Sequence, residues 1–352
     1  MLDFPVSIYE EEKEMHSYRF RLVFAVLAIL LSFSVAVAAL HSMSASYSSD
    51  SNHKMFDDFN KAFIRHWKTR TGIEITIRHA ESKPGVPLRA NVDGLNVTSL
   101  ALSYDPEALQ KASKFTLPDW QKPLPQNSPY TSTIVFLVRN GNPKKVQDWN
   151  DLAKQDVEIV TSNPKTSEEA RWSYLAAWGY ALKQPGGNDA TAIEFVKKLF
   201  GNVKTLETGA RSSVTTFVER GIGDVLLVWE NEAHQIVKER GGDKFEVVTP
   251  SLSILAEPAV SVVSDVVGGN GTREVIKAYT DYLYTPKAQE IAARHYYRPR
   301  DERMVARYSI QFPSIELFTV DGVFGGWKEA RNVYFADGGV FDRIQTYLSA
   351  LH

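Results

Sequence analysis

The feature that most constrains the fold is an apolar stretch near the middle of the chain that turns sharply into a helix-like run. Val157–Val160 has the character of a buried strand, and Asn163-Pro164 predicts a turn directly after it. Thr166 and Ser167 are residue types that cap helix N-termini, and a helix is predicted over Ala170–Leu182. A strand that leads through a turn into a helix favours a sheet covered by helices.

The rest of the chain alternates between strand-like and helix-like segments in the same way. Strands are predicted at Ile73–Ile77, Leu100–Leu102, Thr133–Val138, Asp224–Val228, Phe245–Val248 and Val260–Val263. Helices are predicted at Met55–Trp67, Ala192–Leu199, Ser213–Arg220, Thr272–Tyr284 and Pro286–His295. This alternation predicts an α/β fold with largely parallel sheets. Ligands of such sheets bind where strands end and loops lead into helices, which selects the loops after Ile77, Val160 and Val228.

The turn before Ala170 has the properties of an anion site. At a helix N-terminus, free backbone N–H groups and the positive end of the helix dipole point the same way. An ordinary capped helix without a ligand shows the same local pattern. The residues by themselves therefore leave both interpretations open.

Composition excludes several classes of function. The 352 residues include 40 Lys and Arg against 42 Asp and Glu, so the basic excess of a nucleic-acid-binding protein is missing. The chain has no cysteine, which excludes disulfides, thiolate metal sites and cysteine nucleophiles. The eight histidines are scattered, so we predict no metal and no cofactor. A faint Ser-x-x-Lys match at Ser51–Lys54 lacks the Ser-Asp-Asn element of serine acyl-enzymes, and we predict no catalytic residue and no enzyme.

The N-terminal region predicts secretion. Leu22–Leu40 is apolar apart from two serines, arginines precede it, and Ala36-Val-Ala38 has the small-x-small pattern of a signal-peptidase site. We expect residues 1–38 to be a cleaved signal peptide. Met15 is an alternative start, because the acidic leader before it is atypical. An uncleaved membrane anchor is the alternative, because the apolar run approaches the length that spans a bilayer.

Residues 163–172 read Asn-Pro-Lys-Thr-Ser-Glu-Glu-Ala-Arg-Trp, which resembles the Asn-Pro-Lys-Thr-Ser-Gly-Gly-Ala-Arg-Trp motif of periplasmic sulfate-binding proteins. These proteins are the receptors of sulfate ABC transporters. Further segments resemble the same family in the same order, namely Ser128–Pro143, Glu207–Asp224, Trp229–Ala233, Ser253–Pro258 and Tyr296–Asp301.

The resemblance implies a type II-like periplasmic binding protein, in which two α/β domains are joined by crossover strands around a ligand cleft. The first domain would comprise residues 45–132 and 258–352, and the second residues 133–257. The resemblance further implies a monomer in the periplasm that captures sulfate or a related oxyanion and docks on a membrane permease.

The resemblance also implies that neutral donors hold the oxyanion: backbone N–H groups, serine hydroxyls and a tryptophan indole. Such aimed dipoles in a dry cleft stabilise a doubly charged anion without a cation. Carried over position by position, the ligand-binding residues are Asp50, Ser82, Ser167, Glu168, Glu169, Ser213 and Trp229. Asp50 and Ser82 stand in segments that differ from the motifs of the family.

Glu168 and Glu169 are the serious departure, because the family has two glycines there. A carboxylate about 7 Å from a dianion repels it by roughly 5 kcal/mol at an effective dielectric of ~20, and by roughly 1 kcal/mol in open water. The two side chains could turn to solvent and leave the backbone donors usable, or they could neutralise the helix terminus and displace the anion. Three outcomes stay open: retained sulfate binding, an altered ligand, and lost binding in a diverged paralogue that acts as a sensor or interaction protein.

Overall fold

A computed structural model describes residues 51–80, 88–93, 99–103, 128–263 and 270–351. The predicted signal peptide, Asp50 and Ser82 lie outside the described residues. Within the described ranges, no helix is both long enough and apolar enough to cross a membrane.

Helices and strands alternate along the described chain. The α-helices are α1 (Ser51–Thr71), α2 (Glu168–Lys183), α3 (Asp189–Gly201), α4 (Ala210–Val214), α5 (Glu230–Arg240), α6 (Asn270–Tyr282), α7 (Pro286–Arg294), α8 (Glu302–Arg307), α9 (Val320–Phe324), α10 (Trp327–Ala330) and α11 (Val340–Ser349). The strands are β1 (Thr76–Ala80), β2 (Leu88–Asp93), β3 (Ser99–Ser103), β4 (Tyr130–Thr131), β5 (Ile134–Arg139), β6 (Ile159–Ser162), β7 (Val203–Glu207), β8 (Val225–Trp229), β9 (Phe245–Val248), β10 (Leu252–Ile254), β11 (Ala259–Val263), β12 (Arg298–Pro299) and β13 (Glu316–Phe318).

Residues 134–248 contain a five-stranded sheet with the strand order β7-β6-β8-β5-β9. β6 runs parallel to β7 and to β8, whereas β5 runs antiparallel to β8 and β9. The three parallel strands therefore end at the same edge of the sheet. α2, α4 and α5 follow β6, β7 and β8 in the chain, so these three helices begin at that edge.

A four-stranded sheet with the order β1-β2-β3-β11 contains antiparallel pairs throughout. The prediction of largely parallel sheets is wrong for this sheet. Its connections explain the difference, because only residues 81–87 separate β1 from β2 and only residues 94–98 separate β2 from β3. A parallel crossover needs roughly a dozen residues or more, so segments this short return the chain antiparallel.

Most of the helices and strands that the sequence predicts are present in the described chain within a few residues. Phe245–Val248 is confirmed as β9, and the strand-turn-helix over residues 157–182 is confirmed as β6 and α2. The strand predicted at Ile73–Ile77 begins three residues later, at Thr76, because α1 continues to Thr71 and Gly72 then turns the chain with a φ of 74°. The helix predicted at Ser213–Arg220 begins earlier, and residues 215–219 form a π-helical turn.

α2 lies in the centre of a large aromatic core. Trp178 of this helix packs edge-on against Tyr334 with ring centroids 4.9 Å apart. A Cβ atom added to Gly179 would lie 2.2 Å from the Phe318 ring, so the helix approaches this ring as closely as glycine allows. Residues 318–344, which the resemblance assigns to the first domain, thus share a core with residues 134–256. The division into two domains stays a prediction.

Candidate anion-binding site

Three helix N-termini meet the carboxyl edge of the five-stranded sheet. Ser167 caps α2, and its hydroxyl oxygen accepts a hydrogen bond from the Ala170 N–H at 3.4 Å. Gly209 precedes α4, and Trp229 is the N-cap residue of α5. Because the preceding strands are parallel, the positive ends of the helix dipoles lie along one edge. The sequence-predicted N-cap role of Ser167 is confirmed.

The turn between β6 and α2 is fastened to the end of β7. The Asn163 N–H donates to the Glu207 carbonyl at 2.7 Å, and the Thr166 hydroxyl donates to the Thr208 carbonyl at 2.9 Å. Within the turn, the Asn163 side-chain oxygen accepts from the Lys165 N–H at 2.9 Å. These bonds explain why the motif needs short polar residues here, since they close the turn locally and hold it against the neighbouring strand.

The two cationic side chains of the motif, Lys165 and Arg171, make hydrogen bonds to other groups of the protein. Lys165 Nζ donates to Asp337 and Asp342, each at 3.0 Å, and the hydrogen bonds to these two carboxylates raise the Lys165 pKa. Arg171 Nε donates to the Pro164 carbonyl at 2.8 Å. Neither residue is thus arranged as a point charge for a ligand at the first turn of α2.

Ser213 lies beneath this edge. Its side chain is fully buried, and its hydroxyl shares a hydrogen bond of 2.7 Å with the Ser162 hydroxyl at the end of β6. Its backbone N–H donates to the Gly209 carbonyl at 3.1 Å. In this conformation Ser213 therefore ties α4 to β6, and its part in ligand binding stays a prediction.

Trp229 is half-buried at the end of β8. Its indole packs edge-on against Trp172 of α2 with ring centroids 5.7 Å apart, and Trp172 packs in turn on Trp327 at 4.6 Å. The aromatic contact places Trp229 beside the first half of α2, on the same edge as Ser167. An indole N–H is a donor without acceptor capacity, which suits a fully deprotonated anion.

The Glu169 side chain turns inward. It is 7% exposed and hydrogen-bonds the carboxyl group of Glu232, which belongs to the first turn of α5. Burial, followed by the repulsion from Glu232, raises the Glu169 pKa well above its ordinary value. Glu169 Oε2 is buried and receives no hydrogen bond from a donor of the described chain. The protonated, uncharged form is therefore favoured.

The burial of Glu169 excludes one of the two sequence-based alternatives for this residue, the one in which its side chain turns to solvent. The raised pKa of Glu169 lessens the repulsion expected for a full charge, because it favours the uncharged carboxyl. Glu168 beside it is half-buried, with one carboxyl oxygen enclosed. Of the predicted site residues, the structure thus brings Ser167, Glu168, Glu169, Ser213 and Trp229 to one edge, and their ligand contacts stay predictions.

The family is settled by comparison with known proteins. The model of the bacterial extracellular solute-binding protein family matches residues 47–298. The chain is 50% identical over 319 residues to the sulfate-binding protein of Escherichia coli strain K12, which covers 90% of this chain and 96% of that protein. The chain belongs to the sulfate-binding protein family. The predicted family, its periplasmic binding protein fold and its non-enzymatic character are confirmed.

Two further relatives of this sulfate-binding family member extend the comparison. The thiosulfate-binding protein of Pseudomonas aeruginosa is 43% identical over 312 residues, covering 88% of this chain and 93% of that protein. The solved structure of the sulfate-binding protein from Mycobacterium tuberculosis H37Rv has a TM-score of 0.57 and 30% identity, and the match covers 66% of this chain and 79% of that one.

A buried ion pair that the sequence does not predict lies directly after Trp229 in this family member. Glu230 is fully buried, and Arg298 binds both of its oxygens, with Nε to Oε2 at 2.6 Å and Nη2 to Oε1 at 2.7 Å. Burial raises the Glu230 pKa, and the hydrogen bonds and charge of Arg298 oppose that rise. The bidentate geometry keeps this carboxylate compensated where it has no water.

Asn231 continues the attachment of α5. Its amide donates to the Tyr297 hydroxyl at 3.0 Å, and its side-chain oxygen accepts from the Ser132 hydroxyl at 3.0 Å. Ser132 in turn exchanges two backbone hydrogen bonds with Ala256, at 3.0 and 2.9 Å. Ser132 precedes β5, and Ala256 lies on the path from the five-stranded sheet to β11. The start of α5 is therefore anchored where the chain passes between the sheets.

Proposed function

We propose that this protein is the periplasmic solute-binding receptor of a sulfate ABC transporter. One observation carries the proposal: the first turns of α2 and α5, with Ser167 and Trp229, begin at the same sheet edge in a chain that is 50% identical to a sulfate-binding protein. The relatives bear the names of sulfate- and thiosulfate-binding proteins. The proposed ligand is therefore sulfate, with thiosulfate as the nearest competitor.

Neutral donors would hold the anion. The first N–H groups of an α-helix have no intrahelical acceptor, so those of Glu168 and Glu169 are suited to an oxyanion. The Ser167 hydroxyl and the Trp229 indole would add donors, and Asp50, Ser82 and Ser213 would complete the site. Lys165 and Arg171 are held within the scaffold, which supports recognition by dipoles rather than by a cation.

Sulfate offers acceptors only, so a pocket of donors favours it over ligands that must donate a proton. In the proposed cycle, two domains joined by crossover strands close on sulfate, and the closed receptor delivers it to the membrane permease. The receptor would act as a monomer after cleavage of residues 1–38, with retention as an anchored protein as the alternative.

The diverged-paralogue alternative has one observation in its favour. Glu169 replaces a family glycine, and its carboxyl group occupies a buried position between the first turns of α2 and α5. If this side chain fills the space of the anion, binding is altered or lost, and the protein serves as a sensor or interaction protein.

Calorimetric titration with sulfate tests the proposal, with thiosulfate as a second ligand and small-angle scattering to follow closure. Micromolar or tighter sulfate binding with closure is expected. The matched variants are Glu168→Gly/Glu169→Gly and, as a control distant from the site, Glu194→Gly on the exposed face of α3. If the native protein does not bind sulfate and the Glu168→Gly/Glu169→Gly variant does, the proposal of a transport receptor is rejected in favour of a diverged paralogue. If neither binds any oxyanion, the proposed function is wrong.

A further inference from the structure

Lys165 connects the turn before α2 to the C-terminal part of the chain. Its Nζ donates hydrogen bonds to three acceptors: the Phe335 carbonyl at 3.1 Å, Asp337 Oδ1 at 3.0 Å and Asp342 Oδ2 at 3.0 Å. Three acceptors match the three N–H groups of an ammonium. The cation is therefore engaged by groups that lie 170 to 177 positions further along the chain.

These acceptors are themselves fixed in place. Asp342 belongs to the first turn of α11, and its Oδ2 also accepts from the Gly338 N–H at 2.9 Å. The rings of Phe335 and Phe341 pack against Tyr174 of α2, with ring centroids 5.4 and 5.7 Å away. The segment that binds Lys165 is therefore docked on the body of α2, so it can serve as a fixed support for the turn that precedes this helix.

The turn that Lys165 holds leads directly into the first turn of α2. The Lys165 N–H donates to Asn163 Oδ1 at 2.9 Å, and the Ser167 N–H donates to the Asn163 carbonyl at 2.8 Å. On its other side, the turn is fastened to the end of β7 by the bond from the Asn163 N–H to the Glu207 carbonyl. Ser167 then caps α2. The contacts of Lys165 therefore bear on where the cap and the first N–H groups of the helix lie.

We propose that Lys165 is a positioning residue for the anion site: by binding Asp337 and Asp342, it holds the turn before α2 so that Ser167 and the first N–H groups of the helix point at the oxyanion. The inference rests on the proposed function and deepens it, because it makes sulfate affinity depend on two carboxylates of the C-terminal segment.

Recognition by neutral donors depends on how well those donors are aimed. A binding constellation must be held within about 0.5 Å of its productive geometry by the residues that support it. A turn released from its support has to be ordered again when the anion binds, and that ordering is subtracted from the affinity. Loss of the Lys165 contacts should therefore weaken sulfate binding, although the ammonium itself is not aimed at the ligand.

The two aspartates separate positioning from simple charge. If Lys165 acted on sulfate only through its positive charge, removing the negative charges of Asp337 and Asp342 would tighten the binding of a dianion. If Lys165 acts by holding the turn, removing the same two carboxylates loosens the turn and weakens binding. The two accounts therefore predict opposite signs for one variant.

The test is calorimetric titration of the purified protein and its variants with sulfate. Lys165→Met and Asp337→Ala/Asp342→Ala are both expected to raise the sulfate Kd by about tenfold or more. Lys165→Arg should stay closer to the native protein, because a guanidinium can donate to the same acceptors. The matched control is Lys197→Met, which makes the same exchange at a side chain of similar exposure, 22% against 26%, and should keep the native Kd.

A second measurement follows the turn without any ligand. In sulfate-free buffer, hydrogen exchange at the Asn163 and Ser167 N–H groups should be faster in Lys165→Met than in the native protein, whereas exchange in α3 should be unchanged. Circular dichroism and urea unfolding establish that each variant is folded. A general loss of stability would speed exchange in α3 as well, so the pattern distinguishes a local role from a global one.

A folded Asp337→Ala/Asp342→Ala protein that binds sulfate as tightly as the native protein, or more tightly, overturns the inference and leaves the proposed function intact. Unchanged exchange at Asn163 and Ser167 in Lys165→Met overturns it as well, even where a variant binds too weakly to titrate. Failure of the native protein to bind sulfate rejects the proposed function and this inference together.

Discussion

Arg298 donates two hydrogen bonds, of 2.6 and 2.7 Å, to the buried carboxylate of Glu230, the residue that directly follows Trp229. The ion pair connects the start of α5 to β12. β12 pairs with β4, which directly precedes β5 of the five-stranded sheet in the chain. The start of α5, directly after Trp229, is therefore held by a contact between Glu230 and a residue 68 positions further along the chain.

Replacing Arg298 by Met should destabilise the protein by about 3 to 5 kcal/mol, because Glu230 is then left as a buried, uncompensated charge. Urea unfolding monitored by circular dichroism measures the change. The double variant Arg298→Met/Glu230→Gln should recover a large part of the loss, since it removes the orphaned charge. A double variant no more stable than Arg298→Met would contradict this account of the pair.

Gly179→Ala should destabilise the protein by about 1 to 3 kcal/mol, because its Cβ atom would lie 2.2 Å from the Phe318 ring and the core would have to shift. The matched control is Gly201→Ala in α3, where the added Cβ atom meets only Leu348 Cδ2 at an ordinary 3.7 Å. The two thermal unfolding midpoints compare the variants directly. Adding Phe318→Leu should relieve the clash at Gly179, and no relief would argue against this contact as the cause.

The parts of the fold that the sequence predicts are those with local causes. The strand-turn-helix at β6 and α2 is predictable because Asn163-Pro164 makes the turn and Ser167 caps the helix through its own neighbours. The antiparallel order of the four-stranded sheet was open to prediction from its short connections, but helix and strand periodicity carries no information on strand direction.

The parts that the sequence does not predict depend on strand order. The hydrogen bond between Ser162 and Ser213 joins residues 51 positions apart, and it requires α4 to begin beside the end of β6. The contact of Glu169 with Glu232 requires β6 and β8 to be neighbours, which alternation of elements does not specify. The sequence therefore leaves the direction of the two glutamate side chains open, whereas the fold buries Glu169 and favours its protonated form.

His234 should make the protein sensitive to acid. Burial and the charge of Arg298 lower its pKa from 6.5 to about 4, and the ring stacks on Tyr296 at 5.2 Å. The unfolded chain then binds a proton below about pH 6.5 that the folded protein refuses until about pH 4. Stability from this residue is therefore present above pH 6.5 and lost as the pH falls, by up to about 3 kcal/mol.

Urea unfolding of the native protein and of His234→Phe at pH 4.5 and pH 7.5 measures this contribution. The aromatic replacement keeps the stack on Tyr296 and removes the titration. The loss of stability on acidification should be smaller in His234→Phe, with His66→Phe on α1 as a control that keeps the full loss. Equal losses in the native protein and His234→Phe would exclude His234 as the source.

In the absence of any anion, Glu169 should stabilise the folded protein at low pH, whereas His234 destabilises it there. Its pKa is raised in the folded protein, so the folded state binds a proton that the unfolded chain releases above about pH 4.5. The contribution of Glu169 to the free energy of unfolding should therefore fall as the pH rises from 5 to 8, while the contribution of His234 rises over the lower part of that range. In Glu169→Gln the overall stability should fall less across this range than in the native protein, as measured by urea unfolding in sulfate-free buffer at both pH values. A larger fall in the variant would contradict the assignment of the buried carboxyl as the protonated form.

Trp229→Phe should weaken sulfate binding by about tenfold to a hundredfold, because the ring is kept while one hydrogen bond to a charged group is lost. The aromatic contact with Trp172 remains possible for phenylalanine, so the fold should be preserved. Trp327→Phe is the matched control: it makes the same change one ring further away, where Trp327 touches Trp172 at 4.6 Å. Calorimetric titration of both variants with sulfate separates loss of a donor from loosening of the aromatic stack. Equal weakening in the two variants would assign the effect to packing and remove Trp229 from the set of ligand donors.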